Sequence, residues 1–115
     1  MYVERVKNIK AGAVTAPGAE KVTRRILISP DQGWQGWVMR LFTVGAGGHS
    51  NRHSHAWPHI VHVNSGEGTI FVDGRDYEVE AGCVAYIPGG LEHQFTNRGQ
   101  GDFAFICIVP EEGNV

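Results

Sequence analysis

Residues 47–66 read GGHSNRHSHAWPHIVHVNSG, and this stretch decides how the rest of the chain is interpreted. Alternate residues of a strand lie on one face, so His53 and His55 are expected to point toward the same place. Pro58 cannot continue a regular ladder, which predicts a bend there and a new strand beginning at His59. The bend would bring a third imidazole back toward the first two.

A second stretch framed by glycine and proline, GCVAYIPGGLEHQFTN at residues 82–97, contains a further histidine. A single histidine is usually a packed or surface residue, whereas four neutral imidazoles are costly to crowd together unless something binds them. The alternative for the third histidine is a hydrogen-bonding role behind three ligands. We therefore predict one metal site with the ligands His53, His55, His59 and His93.

Three other residues of the first stretch are given different roles. His49 lies in a glycine-rich loop ahead of the paired histidines, which predicts exposure to solvent. His62 has the opposite strand parity to His59, so its ring is expected to face away from the metal and to serve packing or a subunit contact. Trp57 is expected to cover the site or pack the bend rather than react.

Size and composition limit the classes of protein that this chain can represent. Its 115 residues suggest one domain, and 42% hydrophobic with 19% charged residues is an ordinary globular balance. A net charge of -2 provides no basic surface for nucleic acid or membrane. The absence of a long apolar run or a signal-like start predicts a cytoplasmic protein. Cys83 and Cys107 form no disulfide framework and are expected to be reduced.

The chain predicts β-structure throughout, because β-branched and aromatic runs alternate with turns and 16 glycines. Apolar residues never keep a helical spacing for three turns. The expected fold class is therefore all-β, a single-domain sandwich or barrel of eight or more short strands. The main strands are predicted at residues 22–29, 34–44, 59–64, 69–72, 75–80, 83–87, 93–96 and 103–109.

The same pattern divides the chain into an arm, a barrel and a tail. Residues 1–21 are predicted to be an arm that lies over the body or reaches a partner subunit, residues 22–110 the barrel, and residues 111–115 a frayed tail. Both faces of the strand at 34–44 are mostly apolar, so we expect it to be buried on two sides. Arg40 is then an inward-facing cation in apolar company.

Two motifs in this chain match a known family. The first runs Gly47, five residues, His53-x-His55, three residues, His59 in the place of an acid, six residues, Gly66. The second runs Gly82, five residues, Pro88-x-Gly90, two residues, His93, three residues, Asn97. On these motifs the chain resembles the cupin superfamily. More closely, it resembles small single-domain cupins that read HSHPWEHE here and also have histidine as third ligand, although Pro58 and Ile60 replace acids of that subgroup.

This resemblance implies a jelly-roll barrel, also called a double-stranded β-helix, with a divalent metal near its open end. Manganese or iron is the first expectation, with nickel, zinc, copper and cobalt as alternatives. It also implies a homodimer, which the apolar outer faces at 37–43 and 60–64 favour independently. In similar small cupins, the residues matching Arg40, Phe105 and Cys107 approach the metal cavity. Arg40 would bind a substrate carboxylate or form a structural ion pair, and Cys107 is expected to be a buried apolar residue rather than a nucleophile.

The function is predicted from the charge of the site. Four histidines leave the full charge on a divalent ion, which favours borderline metals and attracts an anionic ligand. The leading hypothesis is a dioxygenase-like, metal-dependent oxidoreductase that acts on a small organic substrate. The alternatives are a metal Lewis acid for isomerase or lyase chemistry on a small carbonyl compound, and a non-catalytic small-ligand sensor, because one fold hosts all three.

Overall fold

The computed structural model describes residues 1–115 and contains nine β-strands, three short 3-10 segments and no α-helix. This confirms the predicted all-β class. The 3-10 segments are Val6–Asn8, Pro30–Gln32 and Glu111–Gly113. The strands are β1 Gly12–Ala13, β2 Glu20–Ile28, β3 Trp37–His49, β4 His59–Ser65, β5 Glu67–Val72, β6 Arg75–Glu80, β7 Val84–Ile87, β8 His93–Thr96 and β9 Phe103–Pro110.

The strands form one curled antiparallel sheet, which confirms the predicted jelly-roll barrel. Its order is β6-β5-β8-β3-β9-β4-β7, with β2 added to β3 and β1 added to β2. β9 pairs with β3 on one side and with β4 on the other. Its alternate residues face the interior, and all four of them are buried: Phe103, Phe105, Cys107 and Val109. The inner face of this sheet is the core, and the metal cluster described below opens on the same face.

The strand at β3 differs from its predicted form at both ends. It begins at Trp37 rather than Trp34, because the chain turns before it and Gly36 has a positive φ of 89°. It then continues through a glycine-rich run as far as His49. Trp37 is 39% exposed. The prediction that both faces of this strand are buried is therefore wrong at Trp37, whereas Leu41 on the same face is buried.

The arm and the tail both contact the barrel of their own chain. Val14 packs on the main core, and Arg25 Nε donates a hydrogen bond of 2.8 Å to the carbonyl oxygen of Ile9. In the tail, Gly113 is buried and Arg24 Nη1 donates to the carbonyl oxygen of Val115 at 3.0 Å. The tail therefore packs rather than frays, and a role of the arm in a dimer stays a prediction. None of the structure's helical segments has the length and apolar character needed to cross a bilayer.

Candidate metal centre

The four predicted histidines form one cluster inside the barrel. The ring centroids of His55 and His93 lie 4.8 Å apart. The centroid of His53 lies 5.0 Å from His55 and 4.7 Å from His93. The centroid of His59 lies 4.7 Å from His55 and 4.8 Å from His93. The central pair therefore contacts both of the other rings.

Short backbone hydrogen bonds bring the two histidine-bearing stretches together. His53 and His93 pair as an isolated antiparallel bridge, with N-to-O distances of 3.2 and 2.9 Å. The carbonyl oxygen of His55 accepts a hydrogen bond of 2.7 Å from the Gly90 amide. The two loops approach so closely that a Cβ at Gly89 would overlap the carbonyl of Ala56, so this position requires glycine.

The predicted bend at Pro58 is confirmed. The chain is irregular from Ser54 to Pro58, and β4 starts at His59. Because β4 then alternates, His59, Val61 and Val63 are buried, while His62 is exposed on the outer face as predicted.

Three of the four imidazoles are oriented by backbone carbonyls. The Nδ1 atoms of His53, His55 and His93 lie 3.0, 2.9 and 2.9 Å from the carbonyl oxygens of Asn51, Trp57 and Leu91, respectively. A carbonyl only accepts, so the Nδ1 atoms of His55 and His93 carry the proton and donate it, whereas the Nδ1 of His53 also lies 2.8 Å from the side-chain amide nitrogen of Asn51, which only donates. The Nε2 atoms of His55 and His93 therefore keep a lone pair that is available to a metal, which is the usual arrangement for ligating histidines.

His59 is oriented differently, because its Nδ1 lies 2.8 Å from the Sγ atom of Cys107. Its Nε2 lies 2.8 Å from the Nε2 of His55, which has no proton. Without metal, His59 therefore donates from Nε2 and accepts at Nδ1 from the thiol. Burial raises the pKa of the Cys107 thiol, which favours this neutral donor. If a metal were bound at Nε2, the ring proton would be on Nδ1 instead. The Cys107 sulfur would then accept a hydrogen bond from Nδ1.

The residues present fit a divalent metal ion. The Nε2 atom of His93 is buried and has no hydrogen-bond partner, which is costly unless something binds it. The ligand atoms of His53, His55 and His93 all lie within 4.8 Å of one another. Neutral nitrogen donors suit borderline transition metals rather than magnesium or calcium. His59 contacts this group through His55, and its place as fourth ligand stays a prediction.

The electrostatics keep the imidazoles of His55, His59 and His93 neutral. Burial, reinforced by the neighbouring rings of His93 and His55, lowers the pKa of His59 to about 2. Burial is also the main reason that the pKa values of His55 and His93 lie below the usual value for histidine. Neutral imidazoles are the form that binds metal, so these three rings remain ready to bind an ion under mildly acidic conditions.

The cluster opens into a cavity of about 290 Å³ that also contains the predicted substrate contacts. Arg40, Phe105 and Cys107 all line this cavity, and no Asp or Glu does. Arg40 is 4% exposed and forms no ion pair with an acid, so the structural ion pair considered from the sequence is absent. A larger depression of about 460 Å³ beside β5 and β6 is lined by Glu, Arg and Thr side chains and contains no histidine.

Some features of the site were not predicted. His49 is half-buried at the end of β3, with Nδ1 3.1 Å from the Ser50 carbonyl oxygen, so its expected exposure is only partial. Trp57 packs the bend as expected, but it does so by stacking on His55 with ring centroids 4.4 Å apart. Arg24 also lines the cavity. Its sequence neighbourhood has no signal for this, because the position depends on pairing with Phe42 across β2 and β3.

Comparisons with known proteins agree with this geometry. A family model described as a cupin domain matches residues 40–109. A 1-methylthio-D-xylulose 5-phosphate methylsulfurylase of Rhodospirillum rubrum is 35% identical over 91 residues, 79% of this chain. The dimethylsulfoniopropionate lyase DddW of Ruegeria pomeroyi is 30% identical over 88 residues, 76% of this chain. The matches span only 57% and 58% of those two proteins.

A solved structure matches almost the whole chain. The polyketide cyclase RemF of Streptomyces resistomycificus superposes with a TM-score of 0.90 at 30% identity. The match covers 96% of this chain and 79% of that one. Most of the arm is therefore included in the similarity.

Proposed function

The chain belongs to the cupin family, and from this premise we propose that it is a metal-dependent enzyme that acts on a small carbonyl compound by Lewis-acid chemistry. The observation that carries this proposal is the cluster of four imidazoles, with no Asp or Glu side chain beside it, at a cavity of about 290 Å³. Such ligands leave the charge of the ion uncancelled and available to polarise a substrate oxygen.

The named relatives support the same class of reaction. One is named a lyase, another a cyclase and a third a methylsulfurylase, and none of these names states an oxidation. The proposal for this chain is accordingly a lyase, cyclase or isomerase type of reaction, with the substrate left at the level of a small carbonyl compound.

Each part of the cavity has a separate task in this proposal. A bound divalent ion supplies Lewis acidity at the Nε2 atoms of the histidines. The carbonyls behind His55 and His93 keep those rings in a fixed tautomer and direction, and Asn51 contacts the Nδ1 atom of His53. The wall formed by the rings of Phe42, Phe95 and Phe105 excludes water, which strengthens electrostatic interactions inside the cavity.

A dioxygenase-like oxidation is the second candidate, and the aromatic wall favours it. The rings of Phe95 and Phe105 stack with centroids 4.2 Å apart, and those of Phe42 and Phe105 lie 5.6 Å apart. This apolar surface adjoins His93, whose ring centroid is 6.5 Å from that of Phe95. A dry, apolar wall beside neutral nitrogen ligands also suits oxygen chemistry at iron or manganese.

The two candidates separate in one experiment. The protein is stripped of metal with a chelator and reloaded in turn with zinc, manganese, iron(II) and nickel, and the bound metal per chain is measured. Each sample then receives 2,4-pentanedione as a carbonyl probe in deuterated buffer, with deuterium incorporation followed by NMR and oxygen by electrode.

The first candidate predicts faster deuterium incorporation with zinc as well as with redox-active metals, no oxygen uptake, and loss of the effect in His53→Ala. Oxygen uptake coupled to loss of the probe, confined to iron or manganese, would favour the dioxygenase-like reaction instead. Full metal occupancy with neither response to this probe or to a panel of 2-oxo acids would contradict both and favour a binding domain. The matched control is His62→Ala, which removes an exposed imidazole outside the cavity.

A further inference from the structure

We propose that the substrate of this cavity carries an oxyanion group, a carboxylate or a phosphate, and that Arg40 binds it. The inference rests on the proposed function, in which a carbonyl oxygen at the other end of the substrate lies at the histidine cluster. It adds the chemical class of the substrate, a small organic acid or phosphate ester. It also assigns a binding residue, Arg40, which is connected to the histidine cluster through the sulfur of Cys107.

The first observation is a buried cation without a counterion. Arg40 is 4% exposed, yet it takes part in no ion pair. Its Nε donates to the carbonyl oxygen of Cys107 at 3.4 Å, and its Nη2 donates to the sulfur of the same residue at 3.2 Å. Nη1 has no hydrogen-bond partner in the protein. A buried charge is expensive unless it is paired, and a weak thiol acceptor with one long carbonyl contact does not replace an anion.

The second observation is that a second guanidinium opens into the same cavity. Arg24 on β2 is half-buried, and its Nη1 donates to the carbonyl oxygen of Val115 at 3.0 Å and to Oδ1 of Asn114 at 3.4 Å. Arg24 pairs across the sheet with Phe42, two residues along β3 from Arg40. The cavity has no Asp or Glu side chain, so the two guanidinium groups repel each other; the oxygen of Val115, the last residue of the chain, compensates Arg24 in part, and a bound anion at Arg40 would relieve the rest.

The geometry of the guanidinium indicates which anion is bound. The planar fork of arginine matches the two oxygens of a carboxylate or a phosphate, and such bidentate contacts are stronger and more specific than contacts to a point charge. The cation–π contact of Arg40 with Phe42, at 4.8 Å from the ring centroid, holds the plane of the guanidinium without using its N–H groups. Arg40 is therefore oriented and still has donors to spare.

The test uses anion binding to the metal-free protein, so that metal chemistry does not enter. Chelator-treated full-length protein is titrated by calorimetry and by NMR with malonate and, separately, with inorganic phosphate, at constant ionic strength and low chloride. We expect binding of at least one of the two anions. The tighter one identifies the group as carboxylate or phosphate. Arg40→Gln is expected to weaken that binding about tenfold or more.

Three further variants make the result specific. Arg40→Lys keeps the charge but loses the fork, and we expect binding at least about threefold weaker than in the natural protein. It also replaces Arg40→Gln in the test if that variant does not fold. Arg24→Gln should weaken binding to a smaller extent. Arg98→Gln is the control, because Arg98 is exposed outside the cavity and pairs with Asp76 at 3.9 Å.

The inference is overturned if neither anion binds the natural protein, or if folded Arg40→Gln or Arg40→Lys binds as tightly as the natural protein does. It is also overturned if Arg98→Gln loses as much affinity, since this would indicate nonspecific attraction. None of these results affects the metal proposal, which is measured separately by occupancy and by the deuterium assay. Conversely, a chain that binds anions through Arg40 but binds no metal would contradict the proposed function alone.

Discussion

The metal-free protein should lose stability as the pH falls below about 6.5, and His59 is the residue that makes this testable. In the folded chain, burial lowers the pKa of His59 to about 2, whereas an imidazole in the unfolded chain titrates near its ordinary value of about 6.5. Between these values the unfolded state binds more protons than the folded state. The free energy of unfolding must therefore decrease as the pH decreases.

The size of this effect follows from the same shift. One imidazole that is protonated only in the unfolded state changes the free energy of unfolding by at most about 1.4 kcal/mol per pH unit. Between pH 7 and pH 5 this corresponds to about 2 kcal/mol from His59 alone. The lowered pKa values of His55 and His93 act in the same direction. Bound metal would keep the ligating imidazoles unprotonated and oppose the loss of stability.

Urea unfolding at pH 7, 6 and 5 in the presence of a chelator measures this dependence. The variant His59→Gln removes the buried imidazole, so its stability should fall less steeply over the same range, by about 2 kcal/mol in total. His62→Gln, at the exposed position in the same strand, is the matched control. Equal slopes for the natural protein and His59→Gln would refute the reasoning, because the proton uptake would then come from elsewhere.

Three further predictions concern the support of the site, the fold and the assembly. Cys107→Ala removes the sulfur that lies 2.8 Å from His59 Nδ1, and it should weaken zinc binding about tenfold in chelator competition. Cys107→Ser should retain most of the zinc affinity. Equal affinities for the natural protein and both variants would contradict this prediction. Asn97→Ala removes three hydrogen bonds that a buried side chain forms with Val44, Gly101 and Gly99, and it should lower the free energy of unfolding in urea by about 2–4 kcal/mol. A decrease of less than about 1 kcal/mol would contradict a stabilising role for these hydrogen bonds. Tyr86 is 65% exposed on an apolar outer face, and we expect two copies of the chain to pair through this face. Light scattering at micromolar concentration should therefore give the mass of a dimer, and Tyr86→Glu should shift the mass toward that of a monomer. A monomeric natural protein would contradict this prediction.

Much of the fold was predictable because its signals are local. Strand alternation from His59 onward determines which residues of β4 enter the core, and Pro58 determines where β4 starts. The inward position of Arg40 follows from the same period of two, since Val38 and Val44 on its face are also buried. The turn between β5 and β6 is local as well, because Asp73 and Gly74 have positive φ values of 48° and 84°.

The interactions that orient the histidines could not be predicted, because they connect residues distant in the sequence. His59 meets Cys107 because β4 and β9 pair with Val61 opposite Cys107, and sequence alone does not determine that register. Arg24 enters the cavity for a similar reason, through the register of β2 against β3. The length of β3 also escaped prediction, because its last residues are mostly glycines that have little intrinsic preference for a strand.

The central claim is that the cluster holds a divalent ion, and a crystal structure of the zinc-loaded protein with anomalous scattering data tests it most directly. We predict one zinc per chain, bound by the Nε2 atoms of His53, His55 and His93 and also by that of His59. A protein saturated with zinc that shows no anomalous peak among these rings, or a peak only elsewhere on the chain, would contradict the account.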